Sequence, residues 1–383
     1  MSLQRGSCAI VGVAESDLGK VAPGMSPLDL MAQGITRALD DCGLSYKDVD
    51  GLFGAATQSR MLTLALREYL GIDPKYGDST YLGGSSFMTH VAHAQAAIEA
   101  GLCEVAVITY ASTQRSDGRS ATRGKDINPY ETPYQPFLPA SAYALVASRH
   151  MHEFGTTREQ LAEIAVAARQ WALLNPMAWE KTPLTAEQVL ASRMISYPLT
   201  VRDCCLVTDG GGAIIMTSAA RARSLRKPPV FILGTGESAS HLSISNMADL
   251  TTTAAVKSGA QAYAMAGLQP KDIDVRELYD AFTLTTLLFL EDLGFCAKGE
   301  GGHFVADGKL RPGGALPTNT NGGGLSYCHP GMYGLLLLIE ATRQLRGECG
   351  QRQVANCEVA LAHGNGGVLS SQSTVILGTA ATV

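Results

Sequence analysis

The sequence predicts an α/β fold made of two pseudo-equivalent halves with a loop domain inserted after the first, and three internal matches carry that reading. IVGVAES at 10–16 matches ILGTGES at 232–238, an offset of 222. Ala38, Gly43-Leu44 and Lys47-Asp48-Val49-Asp50 match Ala262, Gly267-Leu268 and Lys271-Asp272-Ile273-Asp274, an offset of 224. Cys103-Glu104-Val105-Ala106-Val107 matches Cys357-Glu358-Val359-Ala360-Leu361, an offset of 254. Matches that recur in one order are the mark of a duplicated unit.

The elements follow in order. The first match is a buried apolar strand running into a Gly/Glu/Ser turn. Next comes an amphipathic helix closed by Gly43 or Gly267, then a turn and an apolar segment. A small-residue helix (89–100, repeated at 335–346) leads into the strand of the third match. Strands alternating with helices of this length predict layered α/β packing, with a mainly parallel sheet in each half. Residues 113–197 follow the shared elements of the first half. They open with polar, Pro-rich sequence through Pro139 and read as helical over 141–177, which makes them the loop domain. The N-terminal half is then 1–112 with 198–222, and the C-terminal half is 223–383.

Charge and composition narrow the function. Thirty basic against 35 acidic residues give a net charge of −5, with no basic stripe to neutralise phosphates, which argues against nucleic acid. The apolar run 8–14 stops at Glu15, and 334–339 is far shorter than the roughly 20 residues of a membrane span. These features predict a cytoplasmic chain. Nine cysteines, an odd number without a CxxC, read as reduced thiols. The eight histidines show no HExxH, so no metal site is expected. His90 and His93, three apart on an Ala-rich helix, read as packing residues or as two ligands lacking a third.

Counting back 18 residues from the glycines that close the small-residue helices, Gly101 and Gly347, places the helix starts at Gly83 and His329. Two such N-termini facing one another present free N–H groups that favour an oxyanion or an activated nucleophile. One start is Gly83-Gly84-Ser85-Ser86; the other carries an imidazole.

Here motifs become specific. NTNGGGLSYCHPGMYG at 319–334, with His329 ten residues after Asn319, resembles the thiolase signature. DCCLVTDGGGA at 203–213 is similar to the segment closing the first half of sterol-carrier-protein-type thiolases. HGNGG at 363–367 is similar to their final glycine loop, where His stands in place of a second cysteine. ELYDAF at 277–282 falls where thiolases carry an Asn-Glu-Ala-Phe-like segment. The resemblance covers essentially the whole chain. It implies the duplicated, five-layered αβαβα thiolase fold and a homodimer or tetramer. It also implies an acyl-CoA thioester as substrate, with coenzyme A arriving as part of it, no permanently bound cofactor, and Gly366 and Gly367 placed against it.

The departures are as informative. Thiolases place a nucleophilic cysteine at the first helix start, whereas this chain offers Ser85, a hydroxyl that needs a strong adjacent base, and Cys103 lies beyond the helix. Cys328 replaces the usual glycine before His-Pro, and Tyr279 stands where thiolases usually have Asn. His329 and His363 remain to polarise a thioester carbonyl or hold an enolate, with Tyr279, Tyr327 and Tyr333 as proton-transfer candidates. Such a site suits retro-aldol cleavage of a β-hydroxyacyl-CoA. The resemblance supports this, since thiolase relatives without the cysteine include steroid side-chain aldolases that work with a small zinc-ribbon/OB-fold partner. The alternatives are a non-catalytic acyl-CoA-binding or scaffolding subunit and a serine-nucleophile acyltransferase. Arg115, Arg119, Arg123 and Lys125 form a local basic cluster, for CoA phosphates or simply a solvated loop. The aromatic, Pro-rich stretch 130–139 is either an acyl tunnel wall or a rigid loop.

Overall fold

A computed structural model describes residues 3–118 and 128–383. In the first half, β1 (Cys8–Glu15) leads to α1 (Pro27–Cys42), β2 (Gly51–Gly54), α2 (Leu62–Leu70), β3 (Tyr76–Asp78), α3 (Ser86–Glu99) and β4 (Val105–Ser112). Helices α4 (Ala140–Phe154), α5 (Arg158–Leu173) and α6 (Ala186–Leu190) follow, then a hairpin of β5 (Met194–Ser196) and β6 (Leu199–Thr200). The helical stretch read over 141–177 is broken by Gly155, held at φ 71°. The chain returns as β7 (Gly210–Ser218) and α7 (Ala219–Ala222). The second half runs β8 (Val230–Ala239), α8 (Ala255–Ala266), β9 (Val275–Leu278), α9 (Thr283–Asp292), α10 (Gly301–Phe304), α11 (Gly334–Arg346), β10 (Val359–Gly366) and β11 (Ser371–Gly378).

The strands form the order β3-β2-β4-β7-β1-β8-β11-β10-β9. Read outward from the β1/β8 seam, β1-β7-β4-β2 and β8-β11-β10-β9 are the same arrangement twice. The halves meet through the short pairing of Ala9 with Phe231 and Ile10 with Val230. Helices α3 and α11 touch strands of both halves, α1 covers the outside of the first sheet and α8 the outside of the second, giving five layers. The expectation of mainly parallel sheets is corrected: β7 runs antiparallel to both β1 and β4, and β11 to both β10 and β8, leaving parallel pairs only at β3-β2-β4 and β9-β10. The reason is connectivity. β11 turns straight back from β10, and β7 re-enters after the long excursion, so neither needs the helical crossover that parallel strands require.

The matched residues explain themselves physically. A Cβ on Gly12 would lie 2.1 Å from the Ala38 carbonyl oxygen, and one on Gly234 2.1 Å from that of Ala262, so in each copy only glycine lets the strand reach its covering helix. Asp50 accepts from the backbone N–H groups of Glu104 and Val105, and Asp274 from those of Glu358 and Val359. The repeated Asp therefore holds the start of the repeated Cys-Glu-Val-Ala strand. No helix among the described residues is long and apolar enough to cross a membrane.

One buried ion pair ties the halves together beside the His-Pro segment. Glu15, at the end of β1, takes Arg343 of α11 through both oxygens at 2.6 Å and also accepts from the Tyr327 hydroxyl at 2.9 Å. Burial pushes the Glu15 carboxyl up, but the Arg343 charge and these hydrogen bonds bring it below its ordinary value. Glu15→Gln should cost roughly 3 kcal/mol, the lower end for a broken buried pair, because Arg343 keeps 20% of its side chain exposed. Since the folded-state value is depressed, the stabilisation is present above the ordinary 4.5 and is lost as pH falls below it. Urea unfolding against pH checks both points: the variant should lose less stability than wild type on acidification.

Candidate active site

The His-Pro segment is not helical, which corrects the second helix start: α11 begins at Gly334, five residues after His329. Gly331 sits at φ 97° and breaks any helical path, and the segment is gripped instead by side chains of the first half. The Tyr110 hydroxyl on β4 donates to the Pro330 carbonyl and accepts from Met332 N at 3.1 Å. Gln114 Nε2 donates to the His329 carbonyl at 2.7 Å. Thr208 Oγ1 accepts from His329 N at 3.0 Å, so the strip just before β7 shares the grip. Cys328 packs its thiol on Thr208, and burial pushes that thiol up to about 12, which removes it as a nucleophile. Cys103 is likewise buried and pushed up to about 12.

Tyr279, at the end of β9, is the centre of the constellation. Its hydroxyl lies 3.2 Å from His329 Nε2, accepts from Tyr333 N at 3.0 Å, and is 3.4 Å from the Gly331 carbonyl. The His329 ring meets the Tyr279 ring edge-on and stacks with Tyr333. A Cβ on Gly84 would fall 2.1 Å from Tyr279 Cε2. The tyrosine ring therefore fills the space into which a side chain at the start of α3 would project. Burial lowers His329 to about 4, so it is a neutral imidazole at physiological pH, and burial raises Tyr279 well above the usual phenol value.

Ser85 stands at the N-cap of α3, but its fully buried hydroxyl donates to the Leu82 carbonyl at 2.9 Å and contacts Ser371 Oγ at 3.0 Å, with no base beside it. His363 is not brought to His329. It points to the opposite face of β10 from Gly364, against Phe289 of α9, with Nδ1 on Thr374 and Nε2 on Gln372. The pairing of two imidazoles on one carbonyl is thus corrected by strand alternation. Gly366 and Gly367 pack backbone to backbone against Leu82 and Gly83 at the start of α3, and Tyr143 of α4 donates to Gly367 O. Tyr327 is spent on Glu15, and Tyr333 donates to Asn321 Oδ1 at 2.8 Å. Arg115 lies over Trp179, whereas Arg119, Arg123 and Lys125 fall outside the described residues. Tyr130 and Tyr134 are more than four-fifths exposed. His93 pairs with Asp78, and His90 is buried between Phe53 and Phe87.

Sequence reasoning missed several residues. Tyr110 and Gln114 carried no motif. Asn321 lay inside the signature: its Nδ2 is a buried donor without a partner among the described residues, the condition of a group awaiting substrate or water.

Comparison with known proteins places this geometry in a family. Residues 236–379 match the Thiolase C-terminal domain-like family. The chain is 38% identical over 367 residues to a steroid side-chain-cleaving aldolase of Thermomonospora curvata, covering 91% of this chain and 92% of that one. It is 38% identical over 388 residues to the 17-hydroxy-3-oxo-4-pregnene-20-carboxyl-CoA lyase of Mycobacterium tuberculosis, covering 96% and 98%. A solved structure, the Ltp2-ChsH2(DUF35) aldolase, superposes with TM-score 0.88 at 34% identity and 99% coverage of both chains. The chain belongs to the thiolase superfamily, in its sterol-carrier-protein-like branch, and is an enzyme of that superfamily.

The Ser85 surroundings yield a prediction. Ser85→Ala should leave turnover within about twofold and cost about 1 kcal/mol for the lost hydrogen bond. Intact-mass spectrometry after incubation with acyl-CoA should show no acyl-serine on the wild type.

Proposed function

We propose that the protein cleaves a β-hydroxyacyl-CoA by a retro-aldol reaction, without a covalent acyl-enzyme. The observation that carries this is the Tyr279 ring over Gly84, with its hydroxyl on His329: the place of a nucleophile is taken by a proton-transfer group. The β-hydroxyl proton passes to Tyr279 Oη as Tyr279 gives its own proton to His329 Nε2. The Cα–Cβ bond breaks, its electron pair becomes the thioester enolate, and the β-carbon leaves as a ketone or aldehyde. Returning the proton to Cα gives the shortened acyl-CoA and balances the reaction. A buried phenol is a weak base alone, so the neutral His329 acceptor is what makes the transfer feasible. The unpartnered Asn321 Nδ2 and the N-terminus of α3 are the groups suited to the enolate oxygen.

The named activities of the relatives, an aldolase and a CoA lyase, support the reading. A steroid-like or branched acyl chain is the proposed substrate class. The similar solved structure joins an aldolase chain to a DUF35 component, which supports a partner of that kind here. Full turnover by the isolated chain would remove the partner from the proposal.

Turnover of acetoacetyl-CoA, a long-chain 3-ketoacyl-CoA and a branched 3-hydroxyacyl-CoA, followed by mass spectrometry, tests the reaction. Only the hydroxyacyl substrate should be cleaved. Tyr279→Phe and His329→Ala should each lower kcat about 10²- to 10⁴-fold with little change in KM. Thiolysis of the ketoacyl substrates, or full activity in Tyr279→Phe, would overturn the assignment.

A further inference from the structure

We propose that Asp280 is a positioning residue for His329: its carboxylate, cradled by turn N–H groups one residue along from Tyr279, holds the imidazole in line with the Tyr279 hydroxyl. The inference rests on the reading of Tyr279 and His329 as the reacting pair.

Asp280 is fully buried directly after β9. Oδ1 accepts from Gly324 N at 2.6 Å and Oδ2 from Leu325 N at 3.2 Å. Both oxygens thus hold the single π-type turn Gly323–Tyr327, which runs straight into Cys328 and His329. The two glycines admit the carboxylate. Gly323 is at φ 65°, and a Cβ there would stand 1.9 Å from Oδ2. A Cβ on Gly324 would stand 3.2 Å from Asp280 Oδ1 and 3.0 Å from His329 Cδ2, so carboxylate and imidazole flank one glycine. The two residues that follow β9 therefore supply the phenol, Tyr279, and fix the imidazole, through Asp280.

The carboxylate is held by N–H dipoles rather than by a cation. The charged and titratable groups around it are Glu277 and Tyr279 on its own segment, Tyr333 just before α11 and Glu340 within it, His329, Tyr327, and Arg169 of α5, which reaches the turn through Ser326 Oγ; the Asn319 side chain also hydrogen-bonds the carboxylate. Burial raises Asp280 to about 7, against the pull of the Gly324 and Leu325 N–H groups. Protonation turns one oxygen from acceptor to donor facing an N–H, and the cradle loses a bond.

Positioning and stability then carry opposite pH signs. A carboxyl raised above its ordinary 3.8 contributes stability that is full below 3.8 and lost as pH rises through about 7. The fold therefore favours the neutral acid, while the turn is held best by the anion. A residue of merely structural importance would make the enzyme best behaved in acid.

The test measures kcat and KM for the hydroxyacyl-CoA from about pH 5 to pH 9, with urea unfolding over the same range, in wild type, Asp280→Asn and Asp280→Glu. Wild-type kcat should rise about tenfold through neutrality at steady KM. Asp280→Asn, which keeps one acceptor and turns an NH2 on the other N–H, should lose about 10- to 100-fold in kcat and the neutral inflection, while being no less stable than wild type at alkaline pH. Asp280→Glu should keep an inflection at reduced kcat, and a flat profile there overturns the proposal even if the Asn variant fails to fold. Wild-type kcat and profile in Asp280→Asn, or a loss confined to KM, overturn it too. A wild type that cleaves no hydroxyacyl-CoA sinks the aldolase reading instead. Nitrogen-15 NMR of the His329 ring then still decides on Asp280, since ring shifts unchanged in Asp280→Asn remove its positioning role.

Discussion

The structure depends on one constraint: the segment that carries His329 has no secondary structure of its own and is held by side chains from the other half of the molecule. Pro330 has no N–H to give, Gly331 is left-handed, and the His329 and Pro330 carbonyls and the His329 and Met332 N–H groups find partners in Tyr110, Gln114 and Thr208. Buried backbone groups left without those partners would cost about 1 to 3 kcal/mol each. The duplication therefore matters chemically. The first half works as the clamp for the half that holds the imidazole.

That constraint explains what was legible in the sequence. The repeat predicted the two halves because its residues sit where the two copies have identical steric and hydrogen-bond needs: Gly12 and Gly234 under a helix, Asp50 and Asp274 at a strand start. Local signals of this sort survive in a linear string. Strand direction did not, since antiparallel β7 and β11 read like any other apolar runs. The start of α11 was misplaced because 18 residues is too long a count: α3 and α11 hold 14 and 13 residues, so the count overshoots both starts, and His329 is tied instead to tertiary partners more than 100 residues away.

The site was half legible. His329, Tyr279 and Tyr333 came from motif and residue chemistry, and the structure brings them within contact of each other. His363 did not join them, because its position one residue before Gly364 in β10 sends its ring to the far face. A glycine loop with a histidine carries no record of which face that ring takes unless strand phase is known. Asp280 and Asn321 were visible as letters but silent as roles. An acid cradled by the N–H groups of a turn, or an amide with one free donor, is recognisable only when its neighbours are placed.

Gly84 and the Tyr279 ring are sterically coupled. Gly84 can lack a side chain only because something else fills the space, and the Tyr279 ring can reach α3 only because Gly84 has none. Carbon–carbon chemistry on a CoA thioester divides into a step that handles the thioester enolate and a step that handles the group leaving from or arriving at it. A thiolate takes an acyl group at the second step; a hydroxyl-to-imidazole relay takes a proton from a β-hydroxyl and lets a carbonyl leave. Both require the enolate oxygen to be held. On the proposed relay, the site handles the leaving group by proton transfer rather than by covalent capture. The neutral state of His329 fits that change: an imidazole held down to about 4 by burial is free to accept from Tyr279, and a permanent cation there would not be.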